Sequence, residues 1–236
     1  DTTPFLDSIA DELMVFDNAY TNSANTTGSL TAVLTGRSPL VTRVVYPPDL
    51  LQDRSSLKSL PALMSPAVHL KTQWAVPHFA NASEQGFLHA FERVNGRKMA
   101  DSDELFSTLA LSGMQSWFVK SIYHDQLGVL RDAFGLGELD NPYLQVAASA
   151  SKGSGTLGDE ERLQGLLLDL RQAALSDRAL FSQVHFMGSH GPMFHPVVRR
   201  FSAGVEQVKG WMRPFYLDSI LEFDAKLKQI YEALSA

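Results

Sequence analysis

The chain has 236 residues, no cysteine, 44% hydrophobic and 19% charged residues, and a formal net charge of −6. That balance describes an ordinary globular chain of one large domain or two small ones, and the missing cysteines exclude disulfides, thiolate metal ligands and a cysteine nucleophile. Lysine and arginine are scattered, with the pairs Arg97-Lys98 and Arg199-Arg200 reading as solvated faces, so nothing points to nucleic acid.

No apolar run reaches the roughly 18–20 residues of a membrane span, and no signal-peptide pattern opens the sequence. In chain order, residues 13–16 (Leu-Met-Val-Phe) predict a short strand and 17–25 a polar loop. Residues 29–35 predict a helix ended by Gly36 and Pro39. A helical turn or two is expected over 59–64, then a strand over 71–76 closed by Pro77. Segments 104–113 and 116–134 have helical spacing, and 149–158 is small and polar, a mobile loop. Helical period returns at 160–175, with Leu163, Leu166, Leu167 and Leu170 on one face. A strand is predicted over 180–187. A long helix follows over 216–234, with Leu217, Ile220, Leu221, Leu227, Ile230 and Leu234 as its stripe. The alternation argues for an α/β sandwich with a mainly parallel sheet, read as a single domain over 1–236 with no internal repeat.

Two polar turns stand at the ends of apolar segments: Asn25-Thr26-Thr27-Gly28-Ser29 and Ser189-His190-Gly191-Pro192. An open α/β sheet builds its site from such loops at the strand ends. A threonine opening a helix has two explanations. Thr26 or Thr27 caps a free N–H of the first turn, worth ~1 kcal/mol. Alternatively its hydroxyl is a nucleophile, sitting in a positive potential that stabilises an alkoxide and an incoming phosphate, and needing a metal or a base to activate it. His190 is equally two-sided: a structural imidazole, or a group exposed to a ligand by the small residues beside it. His185, inside the predicted strand, reads as a core group or a support for its neighbours, and His195 in a Phe-His-Pro turn reaches the same cleft. His69, His78, His89 and His124 lack ligand-like spacing and read as structural.

Three blocks then gain meaning together: Thr3-Pro4-Phe5-Leu6-Asp7, Phe16-Asp17-Asn18-Ala19-Tyr20-Thr21 and Leu34-Thr35-Gly36-Arg37-Ser38-Pro39. Their order resembles the opening of the sulfatase and alkaline-phosphatase-like superfamily. The resemblance continues in Ser59-Leu60-Pro61-Ala62-Leu63-Met64, in Trp74-Ala75-Val76-Pro77 and from Gly86-Phe87 to Phe91-Glu92-Arg93-Val94-Asn95-Gly96-Arg97. His185 to Pro192 is similar to the GSHGP motif of the phosphoethanolamine transferases, and Tyr216-Leu217-Asp218-Ser219-Ile220 with Asp224 to the helix preceding the family's last metal motif. The match covers nearly the whole chain and is weakest over 101–158, which reads as an insertion.

The resemblance implies that Thr26 stands where hydrolytic sulfatases keep the Cys or Ser that becomes formylglycine. The sulfatase pattern (C/S)-x-(P/A)-x-R is absent, since Thr26, Gly28 and Leu30 occupy its three defining positions. A threonine there resembles the phosphoethanolamine and glycerophosphate transferases, in which a metal-bound threonine attacks a phosphodiester. On that resemblance Thr26 is nucleophile and metal ligand, and His190 contacts phosphate oxygens or protonates the leaving group. Thr27 is a backup nucleophile; Asn25 or Ser29 orients the loop; Ser189 and His195 help bind substrate. The implied cofactor is a divalent metal, zinc or else manganese, magnesium or calcium. The implied substrate is a phospholipid headgroup donor or another phosphodiester or sulfate ester, with a membrane-anchored parent on the periplasmic side of a bacterial inner membrane. The family's first metal-binding acid lies upstream of the TPxLD block and its Asp-His pair downstream of the last helix. The expectation is therefore a fold incomplete at both ends, with the remaining metal ligands outside these 236 residues. A sulfate-ester hydrolase and a metal-free lipid-binding or regulatory protein of the same fold are the alternatives.

Overall fold

The computed structural model describes residues 1–45, 49, 51, 58–75, 91–98, scattered positions between 119 and 135, and 158–235. The helix predicted over 104–113, most of that over 116–134 and all but the last residue of the loop over 149–158 lie outside the described residues. So do Val76, Pro77, Gly86, Phe87, His78, His89 and His124.

Four strands form one sheet in the order β3-β2-β1-β4: β1 (His69–Trp74), β2 (Arg93–Val94), β3 (Arg97–Lys98) and β4 (Ala179–Val184). β1 pairs in parallel with β2 and with β4, the latter over six residues from His69↔Ala179 to Trp74↔Val184; only β2–β3 is antiparallel. Leu70, Lys71, Thr72 and Gln73 are buried at four consecutive positions, which requires cover on both faces of the sheet. The expected α/β class with a mainly parallel sheet is the one found.

One face is covered by side chains of two short helices, Leu30 and Leu34 from the first and Ala62 from the second. Helices α2 (Thr26–Thr35), α3 (Pro39–Thr42) and α4 (Leu60–Leu63) follow the short α1 (Pro4–Ser8). Leu34 of α2 packs with Val44, Leu51, Phe91 and Val94, and Phe181 of β4 joins them; burying a leucine this fully is worth about 2 kcal/mol. Lys71 points to the same face and donates to the carbonyls of Pro61 (3.1 Å) and Met64 (3.2 Å). Helix α5 (Asp159–Leu175) covers the opposite face. There Trp74 Nε1 donates to Asp169 at 2.7 Å, and a Cβ on Gly165 would lie 2.4 Å from the indole, so the glycine lets helix and strand approach. Helix α6 (Arg213–Ser235) packs on α5 and α1.

Three expectations change. Residues 13–16 form no strand: Met14, Val15 and Phe16 are largely exposed, and no described strand runs beside them. A strand exists only through its partner, which local apolarity cannot supply. The strand predicted over 180–187 ends at Val184, leaving His185 at its mouth. On α6 the fully buried positions are Phe215, Asp218, Ser219, Asp224 and Lys226 rather than the leucine stripe, and Leu234 is exposed. The buried acids explain why: they bind chain. Asp218 accepts from the N–H groups of Arg200 (2.8 Å), Phe201 (2.7 Å) and Ser202 (2.9 Å) and from the Ser202 hydroxyl (2.6 Å). Asp224 accepts from the N–H groups of Phe5 (2.8 Å) and Leu6 (3.0 Å), fixing the start of α1.

Candidate active site

Helix α2 begins where the polar turn ends. Asn25 is in extended conformation and its side-chain oxygen accepts the Thr27 N–H at 3.2 Å, so Asn25 is the cap. This corrects the capping explanation for Thr26 and Thr27. Thr26 occupies the first helical position, half-buried, and its hydroxyl makes no hydrogen bond among the described residues, whereas Thr27 is buried. Gly28 is held close: a Cβ there would stand 2.7 Å from Ser23 Oγ and 3.2 Å from the Val44 carbonyl. Ser29 Oγ lies 3.4 Å from Thr21 Oγ1, which ties the preceding loop to the helix.

The second turn leaves β4 at its carboxyl end. His185 N–H still donates to Trp74 O at 2.8 Å, and the chain then bends over α5. Asp159, in the first turn of α5, accepts the N–H of Met187 on both oxygens (2.8 and 3.0 Å) and that of Gly188 at 2.6 Å; Arg162 donates to it at 2.8 Å. Beyond this clamp, Ser189, His190 and His195 are exposed. His190 Nδ1 lies 2.8 Å from the Gly191 carbonyl. A carbonyl can only accept, so Nδ1 carries the proton and Nε2 keeps its lone pair in the neutral ring. Burial pushes the His185 pKa below the ordinary histidine value; the Arg162 cation and His190 act in the same direction and Asp159 against it.

Ser189, His190 and His195 line one pocket of about 380 Å³ with Asp159, Met193, Phe223, Glu222 and Lys226. Lys226 donates to Glu222 Oε1 at 2.6 Å, and the other Glu222 oxygen accepts Val197 N–H at 2.9 Å. The floor is therefore a neutralised ion pair and the functional groups are imidazoles and a hydroxyl. Asn25, Thr26 and Thr27 do not line this pocket. Leu34 packs at mid-sheet, and Leu30, one turn nearer Thr26, reaches from that same cluster to Ala75, against which Met187 also packs. The amino end of α2 thus points toward the carboxyl ends of β1 and β4, the edge that carries the His190 turn. Sequence reasoning missed Asp159, Glu222, Phe223 and Lys226. The legible signals were acid-rich Asp159-Glu160-Glu161 opening a helix and the i,i+4 spacing of Glu222 and Lys226.

A profile of the sulfatase family matches residues 1–236. The chain belongs to the sulfatase family. No curated protein and no solved structure matches it. Its fold is thus that of hydrolases and transferases of sulfate and phosphate esters. Sulfatase-family members typically bind a divalent metal, which requires several donors converging on one point. Among the described residues no three His, Cys, Asp or Glu side chains do so. Asp159, Asp218 and Asp224 each engage both carboxylate oxygens with N–H groups, and Thr26 is left as a lone oxygen donor. The described residues do not fit a metal centre by themselves, and no step is assigned to one.

Proposed function

We propose that this sulfatase-family chain transfers a phosphoryl group, or cleaves a phosphodiester, through Thr26. The observation that carries the reading is the Thr26 hydroxyl: Asn25 does the capping, and among the described residues the side chain at the helix start makes no hydrogen bond. The positive end of α2 favours an anion beside that hydroxyl. Attack joins Thr26 Oγ1 to phosphorus and releases the ester's alcohol. His190 serves the other side: with Nδ1–H held by Gly191, its Nε2 lone pair must first take up a proton, which it then passes to the departing alkoxide, while the Thr26 hydroxyl proton leaves to water. Ser189 and His195 contact the substrate from the same pocket. Formylglycine chemistry fits less well, because the Pro or Ala of that pattern would place a Cβ on Ser23 and Val44 at position 28, and Leu30 is packed in the core.

On this reading the donor is a phospholipid headgroup, the metal is a divalent ion held with ligands beyond those described, and the domain works on the periplasmic side of a membrane. The test is labelling with a phosphodiester donor carrying radioactive phosphorus. Thr26→Ala is expected to lose the covalent label and Thr27→Ala to keep it. Label surviving in Thr26→Ala sinks the proposal, and turnover of an aryl sulfate in preference to an aryl phosphodiester redirects it to sulfate esters.

A further inference from the structure

Asp159 is a carboxylate on the wall of the candidate pocket, and both its oxygens grip backbone. It receives the N–H of Met187 on both oxygens, that of Gly188 at 2.6 Å, and one guanidinium N–H of the buried Arg162. Met187 and Gly188 immediately precede Ser189 and His190. The clamp therefore sets where the chain leaves the sheet and where the imidazole stands. We infer that Asp159 is the positioning residue of the His190 turn, with Arg162 as the cation paired to it. This assignment rests on the reading of His190 as a group that contacts substrate.

The chemistry of the clamp is specific. Charge-assisted bonds from N–H to carboxylate are roughly twice as strong as neutral ones, and a carboxylate accepts on both oxygens. An amide of the same shape accepts on one side only and presents N–H groups to the Gly188 N–H on the other. Asp159→Asn thus keeps the volume and removes the grip. A second perturbation comes from the opposite partner: in Gly188→Ala the new Cβ would stand 3.0 Å from Asp159 Oδ2, prising the turn from the carboxylate without altering α5. His190 reports the result through its tautomer, because the Nδ1–H form is fixed by the bond to Gly191 O.

The experiment is amide hydrogen exchange and nitrogen-15 NMR of the histidine rings on the wild-type chain and on Asp159→Asn, Asp159→Glu and Gly188→Ala. Turnover of an aryl phosphodiester is followed beside it. In Asp159→Asn the amides of Met187 and Gly188 are expected to exchange about 10-fold faster or more. The Nδ1–H fraction of His190 falls, and kcat drops about 100-fold with KM little changed. Asp159→Glu, which keeps the charge, recovers part of each. A folded Asp159→Asn with wild-type exchange and tautomer overturns the inference. Should that variant not fold, Gly188→Ala decides by the same two readouts. His190→Ala separates the layers: full turnover there overturns the reading of the site. Lost turnover there, beside full turnover in Asp159→Asn, overturns the Asp159 assignment alone.

Discussion

Replacing three adjacent residues at the start of α2 one at a time separates capping from chemistry. Asn25 Oδ1 accepts the Thr27 N–H at 3.2 Å, so Asn25→Ala removes a helix cap and costs about 1 kcal/mol. Thr27 is 7% exposed; Thr27→Ala deletes a buried methyl and hydroxyl and costs about 1–2 kcal/mol. Thr26 is half-buried, and its hydroxyl makes no hydrogen bond among the described residues. Thr26→Ala also exchanges a β-branched residue for the best helix former, so its stability is expected to stay within about 0.5 kcal/mol of wild type or rise slightly. Urea unfolding followed by circular dichroism gives the three values from the midpoints at common slope. Activity is expected in a different order, with Thr26→Ala losing turnover and covalent labelling and Asn25→Ala losing a smaller share. A Thr26→Ala variant as destabilised as Asn25→Ala would show that the threonine is the cap after all, and the nucleophile argument falls with it.

Asp218 holds three backbone N–H groups and a hydroxyl, so Asp218→Ala leaves buried donors unpaired and costs about 3–5 kcal/mol, read as a fall in urea midpoint. Burial alone would raise the pKa of Asp218, but these hydrogen bonds outweigh it and hold the carboxyl below the ordinary range. Its stabilisation is complete above the unfolded value near 4 and is lost as pH falls through the lower folded value, a slope that acid titration of the melting temperature should find reduced in Asp218→Asn. His185 has a folded pKa lowered first by burial and then by Arg162. Below the unfolded value of about 6.5 the unfolded chain takes the proton more readily, so stability falls from pH 7 toward pH 5 and His185→Gln flattens that decline. At Gly28 a methyl meets Ser23 Oγ at 2.7 Å and a backbone carbonyl at 3.2 Å; Gly28→Ala is expected to lower stability by about 1–3 kcal/mol and to reduce turnover by displacing the first turn of α2.

The elements legible in the sequence are those whose pattern is local. Helix α5 was expected over 160–175 and spans Asp159–Leu175; α6 was expected over 216–234 and spans Arg213–Ser235. Both follow from apolar spacing at the helical period. Strand β1 starts two residues earlier than expected, at His69 rather than 71, because His69 and Leu70 pair with Ala179 and Leu180 of β4, a partner far along the chain. The grouping of Ser189, His190 and His195 was legible since one short turn carries them all. The clamps were not. Asp224 reaches a segment 218 and 219 residues away and Asp159 one 28 and 29 residues away. No window of sequence tells a carboxylate that will bind distant N–H groups from one that will face solvent. The same non-locality defeats the strand predicted over 13–16, whose four apolar residues have the propensity but pair with no strand among the described residues.

The acids of the motifs sort the chain into parts that hold and parts that act. Asp224 ties α6 to the block that begins at Thr3, Asp218 ties it to the segment 200–202, and Asp159 ties α5 to the block that contains His190. In each case a carboxylate collects N–H groups that no helix or strand satisfies, which is the stabilising use of a buried charge. Such a carboxylate has little left to offer a ligand. The Thr26 hydroxyl, at the start of α2, makes no hydrogen bond among the described residues, and the His190 Nε2 keeps a lone pair while its Nδ1 is engaged. The residues most often suspected of chemistry in an acidic motif are here the scaffold, their oxygens already engaged by backbone N–H groups.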